Sequence, residues 1–316
     1  MVMQKNKKYD IVGIGNAIVD LIAEVDDSYL EKNSINKGSM SLVDYDVANR
    51  IGNEVDIVKT ISGGSVANSI VCIAQQNLKT VFIGKVNQDE LGEKFAKGLA
   101  EENVEFKITK SLANKHTARC IILVSTDAER TMNTYLGVSQ ELTEEDVDLN
   151  IIEESSILYL EGYLWDLDNA KKAIKKSIST AINSETKIAF SISDAFCVDR
   201  FREEFIDLVN NSADIIFANE SEIKSLFETN ELNDAIKKCQ DTKKIFAVTL
   251  GDKGAKIIYK NEVVDIKAEV INKLVDTTGA GDLFAAGFLA EYLKTQDLEL
   301  SGKQGVKMAS IIIQQF

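Results

Sequence analysis

Along most of the chain, short runs of β-branched and aromatic residues alternate with longer stretches whose apolar residues recur every three or four positions. YDIVGIG (Tyr9 to Gly15) has the unbroken apolar character of a strand buried on both faces. SVANSIVCIAQQ (Ser65 to Gln76) carries apolar residues at helical spacing, and TVFIG follows it. The strand-then-helix order returns in ILYLEG with DNAKKAIKKSISTAI, in KIAFSIS with VDRFREEFIDLV, and in DIIFAN with ESEIKSLF, before IFAVTLG near Ile245. Repetition of that unit predicts a mostly parallel sheet covered by helices on both faces.

Two stretches break the rhythm. AIVDLIAEV (Ala17 to Val25) alternates with period two where a helix is due, and TARCIILVST with ERTMNTYL (Thr117 to Leu136) reads as a hairpin over a polar turn at Asp127 to Glu129. Paired together they form a second, small sheet, expected as a lid over the carboxyl ends of the main strands, where ligands of such folds bind. The division that follows is an α/β/α core from residues 1–15, 46–105 and 138–316, with a β lid from 16–45 and 106–137.

Composition narrows the function. With 316 residues, 45% hydrophobic, the chain can bury an enzyme-sized core, and a net charge of −14 repels nucleic acid and anionic membrane surfaces, leaving small molecules as partners. No apolar run approaches a bilayer span and MVMQKNKKYD has no apolar leader region, so a cytoplasmic location is expected. Cys72, Cys120, Cys197 and Cys239 include no CxxC pair, and His116 is the single histidine, so zinc chemistry and a Ser-His or Cys-His nucleophile find little support. Proline is absent, which leaves Gly, Asn, Asp and Ser to mark the turns.

GIGNAI at Gly13 resembles the start of a dinucleotide fingerprint, but Ile18 replaces the third glycine and a strand-like stretch follows; a P-loop is absent. DTTGAGD (Asp276 to Asp282) is more informative, because it precedes a helix that is apolar almost all round. At such a helix entry the amides of Gly279, Ala280 and Gly281 make a positive cradle for an anion. Asp282 beside them is placed to take a proton from a hydroxyl that attacks phosphorus. The plain alternative is a tight turn with an acid that suits the helix dipole. On the other side, Asn16 and Asp20 share one face of a strand-like region, while Gly63, Gly64 and Asn68 open the next helix, a set suited to the hydroxyls of an uncharged polyol. For each of these residues alone, exposed polar surface is the alternative.

In these motifs and their order the chain resembles the ribokinase-like PfkB carbohydrate kinases: GNAIVD at Gly15, SGGSVANS at Ser62, the NxxE of NESE at Asn219, TLGDKG at Thr249 and DTTGAGD. GNAIVDLIAEVDDSYL with AERTMNTYLG looks most like the adenosine-kinase branch. The resemblance implies a ribokinase-like three-layer α/β/α sandwich with a Rossmann-like sheet and a β lid, and a kinase that uses ATP and Mg²⁺, with a monovalent cation possible. It makes Asp282 the general base and Gly279 to Gly281 the anion hole. Asn219, Thr249, Gly251 and Gly254 fall on the ATP side, and Glu222 would hold water bound to Mg²⁺. Arg130, in the lid, would reach the γ-phosphate; Arg119 is read as a solvated hairpin charge and His116 as surface. Ile18, Met40, Leu136, Tyr163, Trp165 and Phe196 are candidates to wall a base. The acceptor is then a nucleoside, with adenosine first, or a free sugar such as ribose or fructose. A sensor that binds without chemistry and an oxidoreductase are the competing classes, and the protein acts as a monomer or homodimer.

Overall fold

The computed structural model describes residues 7–111 and 115–314. Residues 1–6, where no apolar leader is read, and the end of the apolar C-terminal run lie outside them. In chain order the strands are β1 (Tyr9–Ile14), β2 (Ile18–Glu24), β3 (Met40–Leu42), β4 (Ile57–Gly63), β5 (Thr80–Asn87), β6 (Glu105–Ser111), β7 (Ala118–Val124) and β8 (Arg130–Tyr135). They continue with β9 (Ser155–Glu161), β10 (Lys187–Ser191), β11 (Ile215–Asn219), β12 (Ile245–Thr249), β13 (Ala255–Tyr259) and β14 (Glu262–Ile266).

Nine strands form one sheet in the order β14-β13-β12-β11-β10-β9-β1-β5-β6, parallel from β12 to β6 and closed by an antiparallel β12-β13-β14 edge. Side-chain alternation explains why its central strands read as unbroken apolar runs. Ile11 of β1 with Ile157 and Tyr159 of β9 pack into one core; Val12 and Ile14 with Leu158 and Leu160 pack into the core on the opposite face. Each fully buried Ile or Leu is worth roughly 1.5–3 kcal/mol, so neither face tolerates polar alternation. The layers are those of a ribokinase-like α/β/α sandwich.

The glycines of GIGN serve packing. A Cβ on Gly13 would lie 2.5 Å from Val66 and 2.6 Å from Ile70, so the helix Ser65–Ala74 seats directly on β1. The helix Ala280–Thr295 is apolar around its circumference because it lies against both Ser65–Ala74 and Leu298–Ile312 as well as the sheet; Phe284 to Ala290 are all buried.

The second sheet has the order β3-β8-β7-β2-β4. The 117–136 hairpin and the 17–25 strand pair as expected, β7 with β8 antiparallel and β2 with β7 parallel. Two boundaries differ from the sequence-based division. β4, assigned to the core, pairs with β2 in the small sheet, and β6, assigned to the lid, is the edge strand of the large one. β4 lacks apolar alternation because it is an edge strand exposed along most of its length.

Candidate active site

A cavity of about 790 Å³ opens where the parallel strands end and the small sheet overhangs them. The turn after β1 brings Asn16; β9 ends in Glu161; β11 and β12 end in Asn219 and Thr249; and the DTTGAGD helix entry closes the floor.

Asp282 is gripped from the neighbouring helix. Ser65 Oγ donates to its Oδ1 at 2.6 Å, Asn68 Nδ2 to its Oδ2 at 3.0 Å, and Ser69 Oγ to its backbone carbonyl at 2.8 Å. These three donors sit at i, i+3 and i+4, one face of a helix. Withdrawal from water pushes the Asp282 carboxyl above the usual range, and the Ser65 and Asn68 bonds pull it part of the way back. The carboxylate therefore lines the cavity with its orientation fixed and its basicity raised.

Beside it, Gly279 caps the helix with φ 76°. Its amide and that of Gly281 have no partner among the described residues, and a Cβ on either would meet nothing within 4 Å. The third amide corrects the expectation. Ala280 N donates to the Thr277 carbonyl at 3.1 Å, because the left-handed Gly279 turns the chain back on itself there. The open cradle thus consists of the two glycine amides.

Glu161, which the sequence reading missed, organises the opposite wall. Its Oε1 accepts from both Asn16 N and Asn16 Nδ2 at 2.8 Å, and its Oε2 accepts from Val66 N at 3.0 Å. Burial pushes its carboxyl up to about 7, against the pull of those three donors. Since a carboxylate only accepts, the Asn16 amide must turn its NH₂ toward Glu161. Asn16 Oδ1 is left buried without a partner among the described residues. Asn16 lines the cavity, so that oxygen is an acceptor awaiting a donor.

Gly63 and Gly64 make room for this wall. A Cβ on Gly63 would sit 2.3 Å from Asp20 Oδ2, and one on Gly64, at φ 108°, 2.2 Å from the Asn16 carbonyl. Asp20 is pushed up to about 7, chiefly by loss of water, with Arg130 opposing and Asp282 adding to the rise. Arg130 itself is engaged with the signature block: Nε lies 3.0 Å from Asp276 Oδ2, both side chains largely shielded. That pair ties the lid to the core. Arg119 lies over the Tyr45 ring at 5.3 Å, and His116 stacks on the same ring at 4.0 Å, so both belong to the lid's own packing.

On the β11–β12 side, Asn219 and Glu222 form a reciprocal capping box: Asn219 Oδ1 accepts from Glu222 N, and the Glu222 carboxylate accepts from Asn219 N and Nδ2. Glu222 also lines the cavity, and burial raises it to about 7. Thr249 lines the cavity and Gly251, at φ 61°, is exposed and unobstructed. Gly254 is a second correction. It is buried, and a Cβ there would lie 2.1 Å from the Ile266 carbonyl, so this glycine serves β13–β14 packing and presents no open backbone.

Of the expected apolar wall, Ile18, Met40, Leu136, Tyr163 and Phe196 line the cavity. Trp165 does not. It is buried in the core between Phe190 and Phe205, with Nε1 donating to Glu204.

Comparison with known proteins identifies the fold and the chemistry. The description "pfkB family carbohydrate kinase" matches residues 10–316. The chain belongs to the pfkB family. Its members are phosphotransferases, and this kinase is similar in structure to a probable sugar kinase from Rhizobium etli CFN 42, at 38% identity and TM-score 0.91 over 98% of this chain and 94% of that one. It is also similar to an adenosine kinase from Sinorhizobium meliloti, at 41% identity and TM-score 0.89 over 98% and 95%. Among curated proteins it is 26% identical to the adenosine kinase of Saccharomyces cerevisiae over 96% of this chain and 95% of the yeast protein. PfkB relatives thus carry both sugar and nucleoside names, and among the described residues no helix is long and apolar enough to cross a membrane.

Proposed function

We propose that this pfkB kinase transfers the γ-phosphate of ATP to a primary hydroxyl of a nucleoside, with adenosine as the acceptor. Asp282 takes the proton of that hydroxyl, the hydroxyl oxygen attacks the γ-phosphorus, and the bond from phosphorus to the bridging oxygen breaks as ADP leaves with the electron pair. Two open amides at a helix N-terminus, directly beside a fixed carboxylate, support this assignment, since they can hold the charge of the moving phosphoryl group while the acid aims the nucleophile. A sensor that only binds has no use for that pairing.

Asn16 Oδ1 and Asp20 take the acceptor's sugar hydroxyls, and Arg130 leaves Asp276 for the phosphate when the lid closes. Asn219, Thr249 and Gly251 flank the nucleotide. Glu222, a carboxylate on the cavity wall, would hold Mg²⁺ through water. The ion would supply charge neutralisation on the phosphates.

The apolar half of the cavity carries the choice of nucleoside over free sugar. Ile18, Leu136, Tyr163 and Phe196 face the space beyond the hydroxyl-binding residues, and a free pentose or hexose offers nothing to cover them. ADP release from ATP with adenosine, ribose and fructose tests the reading. Adenosine is expected to give the highest kcat/KM; faster turnover of a free sugar overturns the acceptor assignment, and no ADP with any of the three overturns the kinase assignment.

A further inference from the structure

Phe196 lines the cavity and is 65% exposed, so its ring is open to a ligand there. The Arg200 guanidinium is stacked on it, 4.4 Å from the ring centroid, and is also 4.9 Å from the ring of Phe201. Arg200 Nη1 is ion-paired with Asp166, which follows the short helix Gly162–Trp165 and so reaches in from a separate element. Both Arg200 and Asp166 line the cavity.

The local backbone sets this group apart. Ser193 enters the segment at φ 80°, Asp194 caps the helix by accepting from Cys197 N at 2.6 Å, and Phe201 leaves helical geometry at φ −125°, ψ 23°. The first turns of the helix Ala195–Asn211, which carry Phe196 and Arg200, are therefore divided from the rest by a kink. Phe196 and Arg200 lie four residues apart on those first turns, where Arg200 Nε donates to the Phe196 carbonyl at 3.4 Å, and Asp166 holds the guanidinium over the ring from a separate element.

We propose that Arg200, anchored by Asp166, is a positioning residue that holds Phe196 as the stacking wall for the acceptor's planar ring, and so determines the preference for a nucleoside over a free sugar. This rests on the nucleoside reading above. A ring already immobilised loses no rotamer freedom when a base stacks on it, and the guanidinium makes one planar, delocalised face that an ammonium does not reproduce.

Steady-state kinetics of the full chain test the proposal. Arg200→Met and Asp166→Asn should each raise KM for adenosine about 5- to 10-fold, a fraction of the worth of a base–aromatic stack, while kcat, KM for ATP and KM for ribose stay within about twofold. The double variant should be no worse than either single one, because both remove the same anchor. Fluorescence of 2-aminopurine riboside, quenched on binding the wild type, should be less quenched when bound to either variant. Wild-type adenosine KM and quenching in both variants overturns the proposal, as does an equal loss toward adenosine and ribose, which marks a general structural role. If the wild type itself turns over ribose or fructose faster than adenosine, the nucleoside reading falls with it; if the wild type prefers adenosine and the variants match it, only the role of Arg200 falls.

Discussion

The two ends of the cavity are built from different materials. At the end proposed for the acceptor, side chains hold one another through hydrogen bonds of 2.6 to 3.0 Å, Asn16 with Glu161 and Asp282 with Ser65 and Asn68. At the end proposed for the phosphates, Gly279, Gly281 and Gly251 offer open backbone with no side chain at all. Side chains can discriminate among acceptors, because a fixed acceptor such as Asn16 Oδ1 rewards a hydroxyl in one place only. Amides at a helix entry recognise phosphate whatever it is attached to. On the proposed reading, the phosphate end can stay the same while the acceptor end changes, which suits a chain whose relatives carry both sugar and nucleoside names.

Three experiments break or sharpen that contrast. The largest effect is expected for Asp282→Asn, which keeps the shape and the bond from Ser65 but removes the base: kcat should fall by roughly two to four powers of ten with the fold intact by circular dichroism. Unchanged turnover would remove Asp282 from the chemistry.

Next comes Gly279→Ala at the phosphate end. A methyl at φ 76° costs about 1–2 kcal/mol in backbone strain and shifts the cradle, so KM for ATP should rise about tenfold or more with KM for the acceptor little changed. An equal rise in both would mean that the two ends do not act separately.

The third experiment reads stability and concerns the acceptor end alone. Glu161, raised to about 7 in the folded chain, binds its proton more tightly there than when unfolded. Its contribution to stability is present below the ordinary glutamate range and is lost as pH rises through about 7. Glu161→Gln removes this titration, so the fall in urea-unfolding free energy between about pH 5 and about pH 7.5 should shrink by on the order of 1–3 kcal/mol. An unaltered pH dependence would mean that Glu161 is not the group responsible.

Much of the fold was legible because its signals are local. Strands buried on both faces must be apolar at successive positions, and the hairpin at Thr117 to Leu136 announces itself by alternation around a polar turn. β4 was not legible, since an exposed edge strand needs no apolar period, and its partner β2 lies across two helices and the short strand β3 in sequence. Within the site, SVANS displayed its donors at helical spacing, yet the target of Ser65 and Asn68 lies more than two hundred residues away. Trp165 and Phe196 look alike as aromatic residues near strand ends; only packing separates the buried one from the exposed one.

The sequence by itself determined the alternation of strands and helices, the lid hairpin, and the placing of two flexible glycines and an acid at a helix entry. Each of these follows from the preferences of neighbouring residues. Tertiary structure alone decided that Glu161 turns the Asn16 amide, that the Ala280 amide is spent inside its own turn, that Gly254 serves packing, and that Arg130 meets Asp276. Those outcomes depend on distances between segments far apart in the chain, and a hydrogen bond or an ion pair exists only where folding has closed that distance to about 3 Å.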